Sequence, residues 1–471
     1  MRSGVLLKMG SKQYLFIAIL LAIVSFTPFD VSAESLHSAL TSAYSNNPTL
    51  NAARAAQRAQ NENVSQALAG RRPTINATTS LGGQSSSSSL TGGFGEGDFS
   101  DDVITSNSAV TITQNLFNGF QITNNVKSAQ AGVKAGFENL RNTEQNTLQS
   151  AVTAYVDVLR DRKVLNLQVR NTQFSREQLR ASEALAEVGE GTRTDVALAQ
   201  ANLADSLSDL AAAKSTLRSS EATYDQIIGK RPGKLSSPTE ATRFLPKSLK
   251  AALSIARKNH PLIKAAQYNV DAGQFNVKVS EGTLLPSVTL DANYQHALQR
   301  GTTVSDSNTS TVTANVSIPI YQGGARFSNI RQAKETVSQL RIQVDEAHRQ
   351  IDQAVHASYA QLQSARSQTR SAKTNVSASQ IALNGLVEER KVGEATTLDV
   401  LNAQSNLITA QVALANARRD TIVASYSLLS SIGDLTGDRI DIAKGTNVVS
   451  TEIHYKKVRD KWFGLRTTSG N

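Results

Sequence analysis

The sequence predicts an α+β membrane protein built from two tandem helix–strand–strand–helix repeats. Three observations predict it. The chain is internally duplicated, two long proline-free stretches carry helical periodicity, and four short segments alternate apolar with polar residues.

The duplication comes first. "SLHSALTSAYSNNPTLNAA" at 35–53 matches "SLKAALSIARKNHPLIKAA" at 248–266. Pro48 pairs with Pro261 and Pro73 with Pro286, each 213 residues on. "LFNG" at 116–119 matches "IYQG" at 320–323, Tyr155 matches Tyr359, and "VGEGTRTDV" at 188–196 matches "VGEATTLDV" at 392–400, each 204 residues on. The change of offset falls between Pro73 and Leu116, so the first copy has the longer loop there. "GKRPGKLSSPTEATRFLP" at 229–246 holds three of the 9 prolines and joins the copies. The expected organisation is a first repeat over 34–229, a linker over 230–247, a second repeat over 248–433 and a polar, basic tail over 434–471.

Long helices are expected over about 120–187 and 324–391, where no proline falls. Both stretches are rich in Ala, Gln, Leu, Arg and Glu, mostly good helix formers. Leu148, Val152, Tyr155, Leu159 and Leu165 mark the stripe of one, and Leu340, Val344, Ala347, Ile351, Val355 and Leu362 that of the other. Each helix would be about 100 Å long. A stripe so narrow on so long a helix demands lateral, coiled-coil packing. Each stretch ends at Val-Gly-Glu, and return helices are expected over about 192–229 and 396–433. Gly189 and Gly393 suit a left-handed helix end. Thr192 with Asp195, and Thr396 with Asp399, fit capping boxes.

Strands are expected over about 73–82, 103–116, 286–297 and 310–320. "SVTLDANYQHA" puts Val288, Leu290, Ala292 and Tyr294 on one face and Ser287, Thr289, Asp291 and Asn293 on the other. Val312, Ala314, Val316 and Ile318 repeat the pattern, as do Ile75, Ala77, Thr79 and Leu81, then Val110 and Ile112. About 10 residues is the length of a membrane β-strand. The Gly-, Ser- and Asp-rich stretches at 82–102 and 296–310 are expected to be exposed loops.

Composition narrows the classes. With 471 residues and no cysteine, the chain excludes a disulfide framework, a thiolate metal site, a cysteine nucleophile and a lipidated N-terminal cysteine. Hydrophobic residues make up 39% and aromatics 5%, lean for a thick core but suited to a hollow structure. The net charge is +10, with bases scattered among acids, so no nucleic-acid partner is expected. "HYKKVRDKWFGLR" at 454–466 is the one dense basic cluster and reads as a polar or interfacial tail. Residues 1–33 read as a cleaved signal peptide: Arg2, Lys8 and Lys12, an apolar run over 14–25, then Val31-Ser32-Ala33. That run is too short to span a bilayer, which takes about 20 residues. No later run is long enough, so any crossing is made by strands. Four strands cannot close a barrel, which starts at about eight, so a barrel must be shared between chains.

Chemistry is sparse. His348, Asp352 and His356 share a helical face, but two turns separate the histidines, so no metal site is expected. "GGFGEG" at 92–97 lacks the strand and helix of a nucleotide site. No nucleophile elbow or "HExxH" occurs, so neither an enzyme nor a cofactor is expected.

These residues resemble the TolC family of outer-membrane exit ducts over roughly 36–433. The most specific pieces are "SIPIYQGG" at 317–324 and the paired "VG…D" turns at 188–195 and 392–399. The resemblance implies a homotrimer in outer-membrane lipid, with a twelve-stranded β-barrel continued by a twelve-helix periplasmic tunnel. It implies efflux of drugs and toxic small molecules, hence antibiotic resistance, with a periplasmic adaptor (membrane fusion) protein and an inner-membrane transporter of RND or ABC type. The alternative it implies is the outer-membrane component of type I protein secretion. A periplasmic adaptor or a surface coiled coil fits less well, because neither explains two hairpins each preceded by a strand pair. The resemblance places Val188, Gly189, Val392 and Gly393 in adaptor-docking grooves, and Asp399 and Asn402 at the periplasmic aperture. Some members have Asp where Asn402 stands. Arg390 stands where a gate-locking Tyr can occur, and Ala395 where an Arg can. Expected replacement links are Arg390 to Asp195, or Arg193 to a neighbour; the bland alternative is capping alone.

Overall fold

The structure, a computed structural model, describes residues 33–92, 95–301, 304–442 and 450–465. The expected signal segment lies outside them except for Ala33.

Ser35 starts α1 (Leu36–Asn46) by accepting the Ser38 N–H. Asn47 caps α2 (Pro48–Ala69), whose first residue is a proline that needs no N–H partner. Then follow β1 (Thr74–Gly92), β2 (Gly95–Asn118), α3 (Gln121–Glu187) and α4 (Arg193–Ile228). The second copy repeats the order with α5 (Leu249–Asn259), α6 (Pro261–Gly282), β3 (Ser287–Arg300), β4 (Ser305–Ser317), α7 (Ala325–Lys391) and α8 (Thr397–Ser431). A short α9 (Thr451–Val458) follows. Both α3 and α7 run 67 residues, about 100 Å each.

The strands form one antiparallel sheet in the order β1-β2-β3-β4. Its register aligns Ile75, Ile112, Ala292 and Val312 in one row, with Ala77, Val110 and Tyr294 in the next. These apolar residues are uncovered: Ile75 is 66% exposed and Val312 72%. The opposite face carries rows of Thr74, Thr113, Asp291 and Thr313, and of Asn76, Thr111, Asn293 and Thr311. Side-chain bonds cross this polar face from Thr113 to Asp291 at 2.7 Å, Asn315 to Asp291 at 2.8 Å and Thr111 to Asn293 at 3.0 Å. β1 and β4 each have a single neighbour, so both outer edges lack partners. No described helix is long and apolar enough to cross a membrane.

The first hairpin is longer than its side-chain pattern suggested. β1 and β2 continue through the Gly- and Ser-rich stretch expected to be loop, pairing from Thr74 with Thr113 to Gly92 with Gly95. Backbone pairing there needs no apolar alternation. β3 likewise runs on to Arg300 and β4 starts at Ser305, while β4 stops at Ser317, before Pro319. β2 bends into α3 after a register shift between Asn115 and Phe117. There Gly119 has φ +61, and a Cβ on it would lie 2.2 Å from the Gly282 carbonyl oxygen.

The main core sits where the helices of both copies meet. It gathers Leu36 and Leu40 of α1, Leu148, Val152 and Tyr155 of α3, Ile351 and Val355 of α7, and Leu428 and Leu429 of α8. Leu435, Ile440 and Ile442 are buried in it too, so the stretch after α8 is structural, contrary to the polar tail expected there. The linker also contributes, through Leu235, Phe244 and Leu245. The Tyr155 hydroxyl lies 2.7 Å from both the Glu34 and Ser236 carbonyl oxygens, tying the chain start and the linker to α3. α4 buries small side chains rather than leucines along its middle. Ala199, Ser206 and Ala213 are its buried residues at heptad spacing, and Leu207 is exposed.

The two copies differ at one buried cap. Asn47 accepts the Leu50 N–H at 3.1 Å, whereas His260, in the matching position, accepts the Leu262 N–H through Nδ1 at 3.2 Å. Burial pushes the His260 imidazole from 6.5 down to about 4. As pH falls, the unfolded chain therefore takes up this proton first. The stability is present above pH 6.5 and is lost between pH 6.5 and about 4. Urea unfolding in detergent should show a loss on the order of 1–3 kcal/mol across that window. His260→Asn imports the first copy's cap and should flatten the loss; an unchanged pH slope would assign it to other groups.

Candidate functional site

The two helical hairpins end in matched turns. Glu190 and Gly191 both donate backbone N–H groups to the Leu185 carbonyl at 2.9 Å, and Glu394 donates to that of Glu389 at 2.9 Å. Gly189 and Gly393 stand at φ +79 and +83, the left-handed region that favours glycine. A Cβ on either would meet nothing within 4 Å. Val188 and Val392 beside them are 70% and 73% exposed. Each turn thus presents an uncovered valine next to an open glycine.

Capping boxes start both return helices. The Thr192 N–H reaches Asp195 Oδ2 at 3.1 Å, and the Asp195 N–H reaches Thr192 Oγ1 at 3.1 Å. Thr396 and Asp399 repeat this at 2.9 and 3.2 Å. Hydrogen bonds from Thr192 hold the Asp195 carboxyl below the usual carboxylate range, with a smaller contribution from the Arg390 guanidinium. Those from Thr396 do the same for Asp399.

Asp399 and Asn402 both lie exposed on α8. They line a groove of about 290 Å³ between α7 and α8, with Ser379, Leu386 and Asn406. Ala403 and Leu386 connect this groove to a small apolar cluster of Leu383, Val400, Ala403 and Leu407, against which Phe174 also packs.

The expected link from Arg390 to Asp195 is not formed within the chain. Arg390 Nη1 instead donates to Gln178 Oε1 of α3. Gln404 Nε2 donates to Asn171 Oδ1 at 3.0 Å, a neutral link that joins α8 to α3. Arg193 is exposed at the start of α4, with no ion pair to any described residue. Neither Gln178 nor Asn171 carries a charge, a motif or a spacing that could have marked it in the sequence. Asp352, once weighed as a metal ligand, is held by Arg257 through two bonds of 2.8 and 2.7 Å. Among the described residues no group of three or more His, Asp or Glu is placed to hold a metal ion.

The caps are testable. Thr396→Ala should cost the α8 turn about 1 kcal/mol, seen as faster amide exchange there after correction for intrinsic rates. Both carboxyl groups are held low, so in the wild type this protection should be present above the ordinary carboxylate range and fade as pH falls through it. Asp399→Ala should exchange fast at every pH; wild-type protection in that variant would remove the box as the cause.

Comparison with known proteins agrees with this geometry. The profile of the outer membrane efflux protein family matches residues 39–230 and 252–434, one stretch in each repeat. The chain is 42% identical over 460 residues to outer membrane efflux protein BepC of Brucella suis biovar 1 (strain 1330), covering 98% of both. It is 28% identical over 309 residues to outer membrane protein TolC of Escherichia coli (strain K12), covering 62% of each. The Campylobacter jejuni CmeC outer membrane channel shares the fold, with TM-score 0.73 at 15% identity over 90% of this chain and 89% of that one. With both repeats matched and one relative aligned nearly end to end, this chain belongs to the outer membrane efflux protein family, the TolC family, and is an outer-membrane exit duct protein.

Proposed function

We propose that three copies of this chain close a common twelve-stranded barrel in the outer membrane and continue it as a periplasmic helical tunnel for small-molecule efflux. One observation carries the reading: β1 and β4 have unpaired outer edges in a sheet with an uncovered apolar face. Hydrocarbon leaves no partner for an open edge. Head-to-tail pairing of β1 with the next copy's β4 satisfies both edges and closes a ring. The apolar rows then face lipid and the Thr, Asn and Asp291 rows face the lumen. A signal peptide removed after Ala33 supplies the export route. The name of the BepC relative supports efflux as the activity.

The paired turns form the periplasmic mouth. Val188, Gly189, Val392 and Gly393 offer docking surface to a periplasmic adaptor, which links the duct to an inner-membrane transporter of RND or ABC type. Asp399 supplies one carboxylate per copy to the aperture, and Asn402 adds none. The Thr396 hydrogen bonds keep that carboxylate ionised against repulsion from its symmetry copies. A narrow ring of like charge attracts cations and resists anions.

The purified protein in detergent should have the mass of a trimer; a stable monomer holding a complete barrel would sink the shared-barrel reading. Gly189→Trp and Gly393→Trp should each abolish efflux while the trimer still reaches the outer membrane, because the side chain fills an open surface and strains a left-handed backbone. Normal efflux by both would take the turns out of the docking surface. In planar bilayers Asp399→Ala should reduce cation selectivity and Asn402→Asp should increase it. Thr396→Ala loses the side-chain bond but keeps the carboxylate and the backbone N–H that donates to it, so selectivity should stay near wild type at neutral pH and fall at acid pH, where the lost bond lets the carboxylate protonate. Unchanged selectivity in Asp399→Ala would place the aperture elsewhere.

A further inference from the structure

The duct reading leaves the basic, aromatic C-terminal segment without a role. After α9 the chain runs beside α2 toward the sheet. Asn61 of α2 donates to the Thr451 carbonyl at 3.0 Å, Ser65 to that of Lys461 at 3.4 Å, and Arg72 to Lys461 at 3.0 Å. Since α2 leads into β1, this order delivers 461–465 to the base of the sheet. There the Arg72 guanidinium sits over the Trp462 ring, 4.4 Å from its centroid. The stem is anchored: His454 and Val458 are buried, and Tyr455 meets Phe137 edge-on at 6.4 Å. The end is bare. Trp462 is 61% exposed, Phe463 87% and Leu465 100%.

The same end of the sheet carries other uncovered apolar groups. Phe120 follows β2 and is 59% exposed; Ile320 and Tyr321 follow β4 and are 94% and 79% exposed. Trp462 and these groups therefore stand at the same end of the sheet, where β1 starts and β4 ends. Charge adds a second mark. Four cations, Lys456, Lys457, Arg459 and Lys461, share this stretch with only two carboxylates, Glu452 and Asp460, and Arg71 and Arg72 lie beside it.

We propose that residues 456–465 form a membrane-interface anchor, with Trp462, Phe463 and Leu465 seated in the headgroup layer of the periplasmic leaflet and the surrounding lysines and arginines holding anionic phospholipid. Aromatic rings prefer that layer because one part of the ring system can stay dry while its polar edge stays wet. Basic residues next to it draw anionic headgroups within a Debye length. An ordered stem makes the anchor a fixed brace between α2 and the bilayer. The inference rests on the sheet lying in the membrane, as proposed above.

Trp462 is the only tryptophan of the chain, so its emission reports this site alone. The full-length protein is reconstituted into vesicles of phosphatidylethanolamine with phosphatidylglycerol, one lipid carrying brominated acyl chains. The anchor predicts blue-shifted emission, several-fold quenching by brominated lipid and shielding from acrylamide. It also predicts stronger quenching by brominated phosphatidylglycerol than by brominated phosphatidylethanolamine, a preference lost when Lys456, Lys457, Arg459 and Lys461 are changed to glutamine. Acrylamide-accessible Trp462 that brominated lipid leaves bright would overturn it. So would shielding from both quenchers, which places the ring against a neighbouring copy. Equal quenching by the two brominated lipids would remove the anionic-lipid part. A control separates the two readings: Ile112→Trp in a Trp462→Phe background puts the reporter on the apolar strand face. If that reporter is quenched by brominated lipid and Trp462 is not, the anchor alone fails; if neither is quenched, the barrel reading fails with it.

Discussion

The unpaired edges of β1 and β4 govern the rest of the molecule. β2 and β3 are laddered to neighbours on both sides over most of their length, while the outer edges of β1 and β4 each offer a row of N–H and C=O groups with no partner strand. In water such an edge invites unselective pairing. In hydrocarbon each unmet group costs several kcal/mol. On the proposed barrel reading, a membrane sheet of this width cannot exist alone, and strand insertion is tied to assembly. Duplication of one hairpin unit widens the strip each copy contributes, so fewer copies are needed to close the ring.

Closure also fixes which face is which. Asp291 accepts hydrogen bonds from Thr113 and Asn315, on the two strands flanking its own. A carboxylate so held tolerates a wetted lumen and could not face lipid. The rows of Ile75, Ile112 and Val312 have the opposite constraint. The helices obey a milder version of the same rule. α3 and α7 are too thinly striped to bury themselves, so the dense packing is confined to the zone where α1, α5, the linker and Leu435 can wrap them. In α4, the small side chains of Ala199, Ser206 and Ala213 let it lie close to α3, which leaves Leu198 and Leu207 uncovered on its outer side.

What the sequence revealed is what repeats or alternates locally. The duplication, the hairpin turns, the Thr192–Asp195 and Thr396–Asp399 boxes and the apolar strand faces each depend on residues a few positions apart. What it hid depends on distant partners. The Ser-rich run after Leu81 is strand only because β2 lies beside it. Leu435, Ile440 and Ile442 look like scattered residues of a polar tail until the core of α3 and α8 receives them. Arg390 finds Gln178 rather than an acid. Trp462 acquires meaning from Arg72, 390 residues earlier in the chain.

The copies have also diverged where the hairpins end, and this sets the two turns apart. At the offset of 204 that relates the turns, Ala186 stands where the second copy has Arg390, and Leu198 stands where it has Asn402. The first-copy helix therefore carries an exposed leucine where the second carries an amide beside Asp399. The two conserved-in-register carboxylates are also unequal. Asp195 lies in the field of the Arg390 guanidinium, which helps lower its pKa, whereas Asp399 is lowered by hydrogen bonds of the Thr396 cap alone. A neighbouring cation offsets the outward field of Asp195, while Asp399 keeps its own. In the proposed trimer the second-copy turns contribute three carboxylates that stand apart from the Arg390 guanidinium. The capping box, needed in both copies to start a helix, becomes an electrostatic element at Asp399, because the second copy's Arg390 stands near the first copy's Asp195 instead.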